Sequence, residues 1–118
     1  MAVLSADIER DNNRAVAIFS SKEITTPQMQ DIMAELMEIM RNDNVQYFVL
    51  DMSVVEFISS GCLGSLVEFS QDLTHIRGKI ALANCRDNVA FLFKVTRLDV
   101  IFPIYDDAEE AMDALVNP

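Results

Sequence analysis

Apolar residues fall into two patterns that alternate along the chain: short continuous runs and longer stretches with a helical repeat. The run from Tyr47 to Leu50 is almost wholly apolar, which is typical of a strand buried on both faces, although a buried helix fits this periodicity as well. Lys79 to Ala83 is a second such run and predicts another strand. Val100 to Ile104 is predicted to be the last strand, with Pro103 marking an edge or an end.

Two further strands are predicted near the start of the chain. Val3 to Glu9 and Arg14 to Phe19 have the pattern of short strands, and Asp11-Asn12-Asn13 between them has the composition of a turn. We therefore expect the chain to open with a hairpin. Ser20 to Thr26, which follows, is a polar connection.

The first helical stretch begins after this connection. Thr26 is the expected cap, Pro27 is the expected first helical residue, and the helix should run to about Arg41. Its apolar residues recur at intervals of three and four: Met29, Ile32, Met33, Leu36, Met37 and Met40. Methionine-rich faces also occur on promiscuous binding surfaces, but core packing is the commoner use and the one we expect.

Three more helices are predicted towards the C-terminus. The second follows Leu63 and ends near Ile76, where Gly78 is expected to supply the left-handed residue that stops it. Val89 to Val95 predicts a short buried helix. The last helix, Ala108 to Val116, is expected to be capped by Asp106 or Asp107, with Glu109 and Glu110 in its favourable first turn.

The resulting order is β-β-α-β-α-β-α-β-α. Strands that alternate with helices after an opening hairpin predict an α/β fold, in which helices pack on a mixed, mostly parallel sheet. A length of 118 residues indicates one domain, spanning residues 1–118, with a single core.

The net charge of the chain argues against some classes of binding partner. A net charge of −10 argues against nucleic-acid binding, which needs a basic face, and against docking on an anionic membrane. It is compatible with a basic protein partner but does not imply one. The sequence has no apolar run long enough for a membrane span and no secretory signal, so we expect a cytoplasmic protein.

A serine pair, Ser59-Ser60, lies where a loop is expected to turn into the second helix. The simpler interpretation is that one hydroxyl caps the first turn, since serine is a preferred N-cap residue. The other is a modifiable or anion-binding serine, because a helix N-terminus carries partial positive charge and free N–H groups that accommodate a phosphate. The spacing alone favours the cap.

The segment from Tyr47 to Gly64 resembles the signature of STAS domains, the family of the anti-sigma factor antagonists and their relatives. Glu23-Ile24-Thr25 is similar to the Glu-Leu-Asp turn of that family. Gly78 to Leu82, Leu98 to Ile104 and Asp107 to Ala111 also resemble family segments. The resemblance covers nearly the whole chain and implies the STAS, or SpoIIAA-like, fold.

The resemblance implies an anti-sigma factor antagonist, a protein-binding module that is switched by phosphorylation and regulates transcription indirectly. Ser60 falls on the serine that a partner kinase phosphorylates in the family. The implied partners are an anti-sigma factor that is a serine-protein kinase of the histidine-kinase-like ATPase type, and a phosphatase. Neither direct nucleic-acid contact nor membrane insertion is implied. The implied partner-binding residues are Ser59, Ser60, Gly61, Cys62, Glu23 and Thr25.

Three residues depart from the family pattern. Arg97 stands where the family has a glycine before a Leu-Asp pair, and Cys62 stands where it has a glycine after the phosphorylated dipeptide. Ser59 stands where the family often has Asp, although some members have Ser-Ser there. If that Asp helps to orient the acceptor hydroxyl, a serine would do so less strongly.

We do not expect an enzyme. His75 is the only histidine, and at about 1.5 Å of rise per residue it lies roughly 20 Å along the helix from Ser60, too far to act as its base. The sequence indicates no Walker-type phosphate loop, metal site or cofactor, and we expect Cys62 and Cys85 to be reduced. Two alternatives stay open: a scaffold that works without phosphorylation, and a module that senses a small ligand, either a nucleotide or a lipid.

Overall fold

The structure is a computed structural model that describes residues 4–118. The strands are β1 Ala6–Asp11, β2 Arg14–Phe19, β3 Glu23–Ile24, β4 Tyr47–Asp51, β5 Phe57–Ile58, β6 Lys79–Ala83 and β7 Ile104–Tyr105. The helices are α1 Thr26–Asp43, α2 Gly61–Thr74, α3 Asp87–Val95 and α4 Ala108–Val116, with a 3-10 helix at Leu98–Val100.

Five strands form one mixed sheet in the order β1-β2-β4-β6-β7. The opening hairpin β1–β2 is antiparallel, and the other three pairings are parallel. This confirms the predicted α/β fold and its mostly parallel sheet. Two strands were not predicted: β3 lies inside the polar connection, and β5 follows β4. These two pair in parallel as a separate two-stranded sheet.

Strand β4 is buried on both faces, as its apolar run predicts. Phe48 and Leu50 point to the face that packs on α1 and α2, where the Phe48 and Phe69 rings meet edge to face at 5.1 Å. Val49 points to the other face, which α4 covers with Ala111 and its neighbours. In residues 4–118 we find no helix with both the length and the apolar character needed to cross a membrane.

The hairpin turn is shorter than predicted. Asp11 belongs to β1 and lies opposite Arg14, so the turn consists of Asn12 and Asn13. Asn12 has a φ of 55°, which asparagine adopts more readily than most residues. The predicted start of this strand at Val3 lies outside the described residues.

The predicted last strand exists but is misplaced: it is β7, Ile104–Tyr105, and most of the predicted range from Val100 to Ile104 is not a strand. The first residue of that range ends the 3-10 helix, where the N–H groups of Ile101 and Phe102 both donate to the carbonyl of Leu98, at 3.0 and 2.8 Å. Of the apolar run only Phe102 is fully buried, whereas Val100 is 83% exposed. An apolar run predicts a buried strand only if its side chains are covered, and here a tight turn leaves several of them exposed.

The predicted left-handed residue at Gly78 is also wrong, because Arg77 adopts that conformation with a φ of 56°. Gly78 is needed for a different reason. A Cβ atom there would lie 2.6 Å from a methyl group of Leu73 and 2.8 Å from the backbone oxygen of Gln46. The glycine therefore allows the end of α2 to approach the start of β4 closely.

Candidate functional site

Pairing between β3 and β5 brings two distant loops together. Glu23 lies opposite Phe57, and Ile24 lies opposite Ile58. The carbonyl of Lys22 accepts from the N–H groups of Glu56 and Phe57 at 2.7 and 3.1 Å. Since β3 leads directly into α1 and β5 leads into α2, the two helices begin side by side.

The start of α1 is fully capped, but by a different residue than predicted. The Thr25 hydroxyl accepts from the N–H of Gln28 at 3.3 Å, and the Gln28 side chain accepts from the N–H of Thr25 at 2.9 Å. This reciprocal pair is a capping box. Thr26, the predicted cap, is instead the first helical residue, because Thr25 is the residue with extended backbone angles.

The start of α2 lacks a side-chain cap, so the expected capping by Ser59 or Ser60 is wrong. Ser60 occupies the N-cap position, but its φ and ψ of −59° and −30° are already helical. A capping hydroxyl needs an extended backbone to reach back to the N–H groups of the first turn. Within the described residues, Ser60 accordingly makes no side-chain capping bond.

The Ser59 hydroxyl joins the two helix starts. It is 2.9 Å from the hydroxyl of Thr26 and 3.3 Å from the sulfur of Cys62. The buried Cys62 thiol donates to the carbonyl of Ile24 at 3.3 Å, and the N–H of Ser59 donates to the same carbonyl at 3.2 Å. Cys62 therefore faces the interior, and Ser59 is engaged by neighbours from both sequence segments.

Gly61 allows the close approach of the two helices. A Cβ atom on this residue would lie 2.3 Å from the Thr26 hydroxyl oxygen and 3.2 Å from the Thr26 methyl carbon. A larger residue at Gly61 therefore requires either that the Thr26 side chain rotate away from its bond to Ser59 or that α1 and α2 move apart. The glycine is thus required by packing at this position.

Ser60 remains accessible above this contact. Its side chain is exposed, and in residues 4–118 no backbone carbonyl accepts from its N–H or from the N–H of Gly61. These groups carry the partial positive charge of the α2 N-terminus, which favours a bound or attached anion. The arrangement therefore offers a free hydroxyl beside two free N–H donors.

The six residues expected at the site lie on the two loops that β3 and β5 join. Glu23 is exposed on β3, Thr25 caps α1, and the segment from Ser59 to Cys62 enters α2. Sequence reasoning missed Ile24 and Thr26, which make the direct contacts to Ser59 and Cys62. Both residues lie between Glu23 and the proline of α1, but the pairing of two-residue strands whose partners are 34 residues apart has no local sequence signal.

The second cysteine lies at the carboxyl end of the sheet. Burial, and secondly the charge of Asp51, raise the pKa of the Cys85 thiol from 9.0 to about 11. The carboxylate of Asp51 accepts from the N–H of Ser53 at 3.0 Å and from the amide of Asn84 at 3.1 Å. Cys85 therefore stays a neutral thiol near pH 7 and is a poor nucleophile.

Comparison with known proteins supports the fold. The model of the STAS domain family matches residues 7–111, which include both helix starts and the first turn of α4. The chain belongs to the STAS domain family. The family model covers all five strands of the main sheet apart from the first residue of β1.

This STAS domain also resembles individual proteins. A Thermotoga neapolitana protein, named as an anti-sigma factor antagonist and homolog of TM1081, is 32% identical over 72 residues, which are 61% of this chain and 64% of that protein. The TM1081 NMR structure superposes with a TM-score of 0.82 and 23% identity, covering 94% of this chain and 88% of that one.

The anti-sigma factor antagonist SpoIIAA of Bacillus has the same fold in two states. Its unphosphorylated form gives a TM-score of 0.75 at 16% identity, covering 96% of this chain and 99% of that one. Its phosphorylated form gives 0.73 at 18% identity, covering 92% and 97%. At these identities the structural likeness establishes the fold of this chain and no more.

Proposed function

We propose that residues 1–118 act as a single STAS domain that antagonises an anti-sigma factor in the cytoplasm and is switched by phosphorylation of Ser60. The observation that carries the proposal is the exposed, uncapped Ser60 hydroxyl beside two free N–H groups at the start of α2. The unmodified domain binds the anti-sigma factor through this start and the adjoining β3 loop. Transcription is affected indirectly, through the sigma factor that the partner releases.

Relatives support the class of partner. The Thermotoga neapolitana relative is named as an anti-sigma factor antagonist, and SpoIIAA is described in unphosphorylated and phosphorylated forms. A fold shared by both SpoIIAA forms is compatible with a modification that changes the surface and leaves the core in place. We propose the same for this chain: phosphorylation changes the surface at Ser60 and leaves the fold unchanged.

Ser60 is a better acceptor than Ser59. The Ser59 hydroxyl is held between Thr26 and Cys62, and phosphorylating it would disrupt the contact between the two helix starts. The Ser60 hydroxyl has no such bond within the described residues and faces solvent. The proposed kinase is an anti-sigma factor of the histidine-kinase-like ATPase type. It transfers the γ-phosphoryl group of ATP to Ser60 Oγ, the bond to the β–γ bridging oxygen breaks, ADP leaves, and a base of the kinase takes the hydroxyl proton.

Phosphate at Ser60 should release the partner and leave the domain folded. The group adds a charge of roughly −1.5 to −2 at a position where the helix N-terminus tolerates it. In the complex the same charge must lose its water, and an interface that leaves it uncompensated is penalised. A penalty of about 3 kcal/mol lowers affinity on the order of a hundredfold. A phosphatase then restores the binding form.

The test begins with capture of partners from the native host by the wild-type chain, with identification by mass spectrometry. The captured anti-sigma factor is then purified and titrated with wild type, Ser60→Asp and Gln71→Glu. Gln71 is exposed near the far end of α2, about 16 Å along the helix at roughly 1.5 Å per residue, so its variant controls for charge alone. We expect Ser60→Asp to weaken binding strongly and Gln71→Glu to bind like wild type.

Phosphate incorporation provides the second arm of the test. With the captured kinase and labelled ATP, Ser59→Ala should still be labelled and Ser60→Ala should not. If wild type and Ser60→Asp bind the anti-sigma factor with equal affinity and Ser60→Ala is labelled as well as wild type, the switch is excluded. The domain is then a scaffold whose binding does not depend on phosphorylation.

A further inference from the structure

Helix α3 presents an apolar stripe to solvent. Val89 and Phe93 face the core and are almost fully buried, whereas Phe91 and Val95, four residues apart on the outer face, are 64% and 57% exposed. An aromatic ring and a β-branched side chain that adjoin on one exposed helix face are not stabilised by contact with water. Exposed apolar groups that adjoin one another commonly mark an interaction surface.

The stripe continues onto two neighbouring elements. The Asn88 amide, one turn before Phe91, donates to the backbone oxygen of Glu56, and this bond ties α3 to β5. Phe57, which follows Glu56 and is the first residue of β5, is 61% exposed. On the other side, the 3-10 helix packs against α3 and leaves Val100 83% exposed. We call Phe57, Phe91, Val95 and Val100 the α3 patch.

The charge on α3 and the 3-10 helix differs from that of the rest of the chain, whereas Phe57, at the other edge of the patch, has acidic neighbours in Glu23 and Glu56. Residues 86–101 contain three basic and two acidic side chains, a net charge of +1, in a protein whose net charge is −10. Lys94 lies on the same helix face as Phe91, three residues further on, and Lys94 and Arg97 are both exposed. A second copy would bring the same basic side chains against one another, whereas a partner with acidic residues around an apolar centre would be complementary.

The α3 patch is also close in sequence to the proposed switch. Phe57 precedes Ser59 by two residues, and β5 connects α3 to the start of α2. A protein bound at Ser60 is therefore in reach of Phe57, and through it of α3. Phosphate on Ser60 would also repel the acidic rim that suits Lys94 and Arg97.

We propose that the α3 patch is the second half of the partner-binding surface, and that the anti-sigma factor covers it with an apolar segment flanked by acidic residues. This inference rests on the proposed function and extends it. In this proposal α3 makes the apolar contact with the anti-sigma factor, and the start of α2 makes the contact that phosphate weakens. It also predicts that the two halves can be removed separately by mutation.

The test is a titration of the purified anti-sigma factor with Phe91→Ser, Val95→Ser and a control, Ile76→Ser. Ile76 is an apolar residue after α2 that is 38% exposed and lies outside the patch. Because Phe91 and Val95 are mostly exposed, both patch variants should melt at the wild-type temperature. We expect Phe91→Ser to weaken binding at least about tenfold, as buried aromatic anchors do, and Ile76→Ser to stay within about twofold.

A charge variant tests the chemistry of the partner. Lys94→Glu should weaken binding more at low than at high salt, because the interaction of rim charges is screened by salt. Affinity within twofold of wild type for Phe91→Ser and Val95→Ser, with Ser60→Asp defective, would overturn the α3 proposal and leave the switch intact. The reverse pattern would retain the α3 patch and reject the switch.

Two other outcomes also count against the proposal. If the wild-type chain sediments as a dimer that Phe91→Ser dissociates, with no change in affinity for the anti-sigma factor, the patch binds a second copy. If the unmodified chain binds no anti-sigma factor at all, the α3 inference fails together with the proposed function.

Discussion

The starts of α1 and α2 lie side by side and have opposite chemistry. At α1, Thr25 and Gln28 satisfy each other's backbone donors in a complete capping box. At α2, Ser60 has a helical backbone, and among the described residues its side chain caps nothing. A threonine and a serine, both good capping residues, are therefore used differently within one contact.

The difference indicates what each start does. A capped helix end gains stability because its free N–H groups find partners, typically about 1 kcal/mol per cap. An uncapped end forgoes that gain but leaves its hydroxyl and N–H groups available for a ligand or a modification. The stability of this region therefore resides at α1, and the proposed switch resides at α2.

The largest effect on stability is expected from Gly61→Ala. Its new Cβ would meet the Thr26 side chain at 2.3 Å, and overpacking of this kind costs about 1–3 kcal/mol. Chemical denaturation monitored by circular dichroism measures the change in the free energy of unfolding. The double variant with Thr26→Ala removes the hydroxyl and the methyl group and should recover most of the loss. An equal loss in the double variant would mean that this contact does not set the distance between the helices.

Thr25→Ala is expected to have the next largest effect. It removes the hydroxyl that accepts from the backbone N–H of Gln28, while the backbone N–H of residue 25 can still donate to the Gln28 side chain. The free energy of unfolding should therefore fall by about 1 kcal/mol, with a range of about 0.5–2. Binding by the folded protein tests its proposed partner contact separately. If Thr25→Ser, which keeps a hydroxyl, is as unstable as Thr25→Ala, the capping explanation is wrong.

Ser59→Ala should have a smaller effect. The bond between the Ser59 and Thr26 hydroxyls is exposed, and after its loss Thr26 can bond to water, so about 0.5 kcal/mol is expected, at the lower end for a hydrogen bond. The matched variant Thr26→Val removes the same bond from the other side while keeping a branched side chain. A double-mutant cycle of the two gives the coupling directly, and zero coupling would show that the bond contributes nothing to stability.

Ser60→Ala is expected to change stability least, by no more than about 0.5 kcal/mol, because its hydroxyl caps nothing in the described structure. The same denaturation series measures it against Thr25→Ala. A loss as large as that of Thr25→Ala would remove the contrast between the two helix starts and restore the N-cap interpretation of Ser60.

Much of the fold could be predicted because its signals are local. The apolar face of α1 and the buried run of β4 follow from spacing alone, and the structure confirms both. Asp107 caps α4 by accepting from the N–H of Glu110 at 2.7 Å, as one of the two predicted residues. These features depend on residues within one or two turns of each other, so neighbouring sequence contains the information.

The site could be predicted only in part. The resemblance to STAS domains predicted Glu23, Thr25 and the segment from Ser59 to Cys62 as partner-binding residues, and these roles remain predictions. The contact between Ser59 and Thr26 joins residues 33 apart, and no periodic pattern in the sequence predicts it. The expected cap at Ser59 or Ser60 was wrong for a similar reason. A serine before a helix caps it only if its backbone is extended, and contacts between distant segments decide that backbone.

What the sequence by itself determined is the four helices, the first four strands of the main sheet, the order of these elements and the class of sheet, since these follow from apolar spacing and local turn chemistry. Tertiary structure decided which hydroxyl is engaged and which is free, because the β3–β5 pairing positions Thr26 against Ser59 and Gly61. It also decided the backbone of Arg97, which adopts a left-handed φ of 61° at the position where the family has glycine. Such conformations and contacts are imposed by packing between distant segments, and short-range sequence preferences do not specify them.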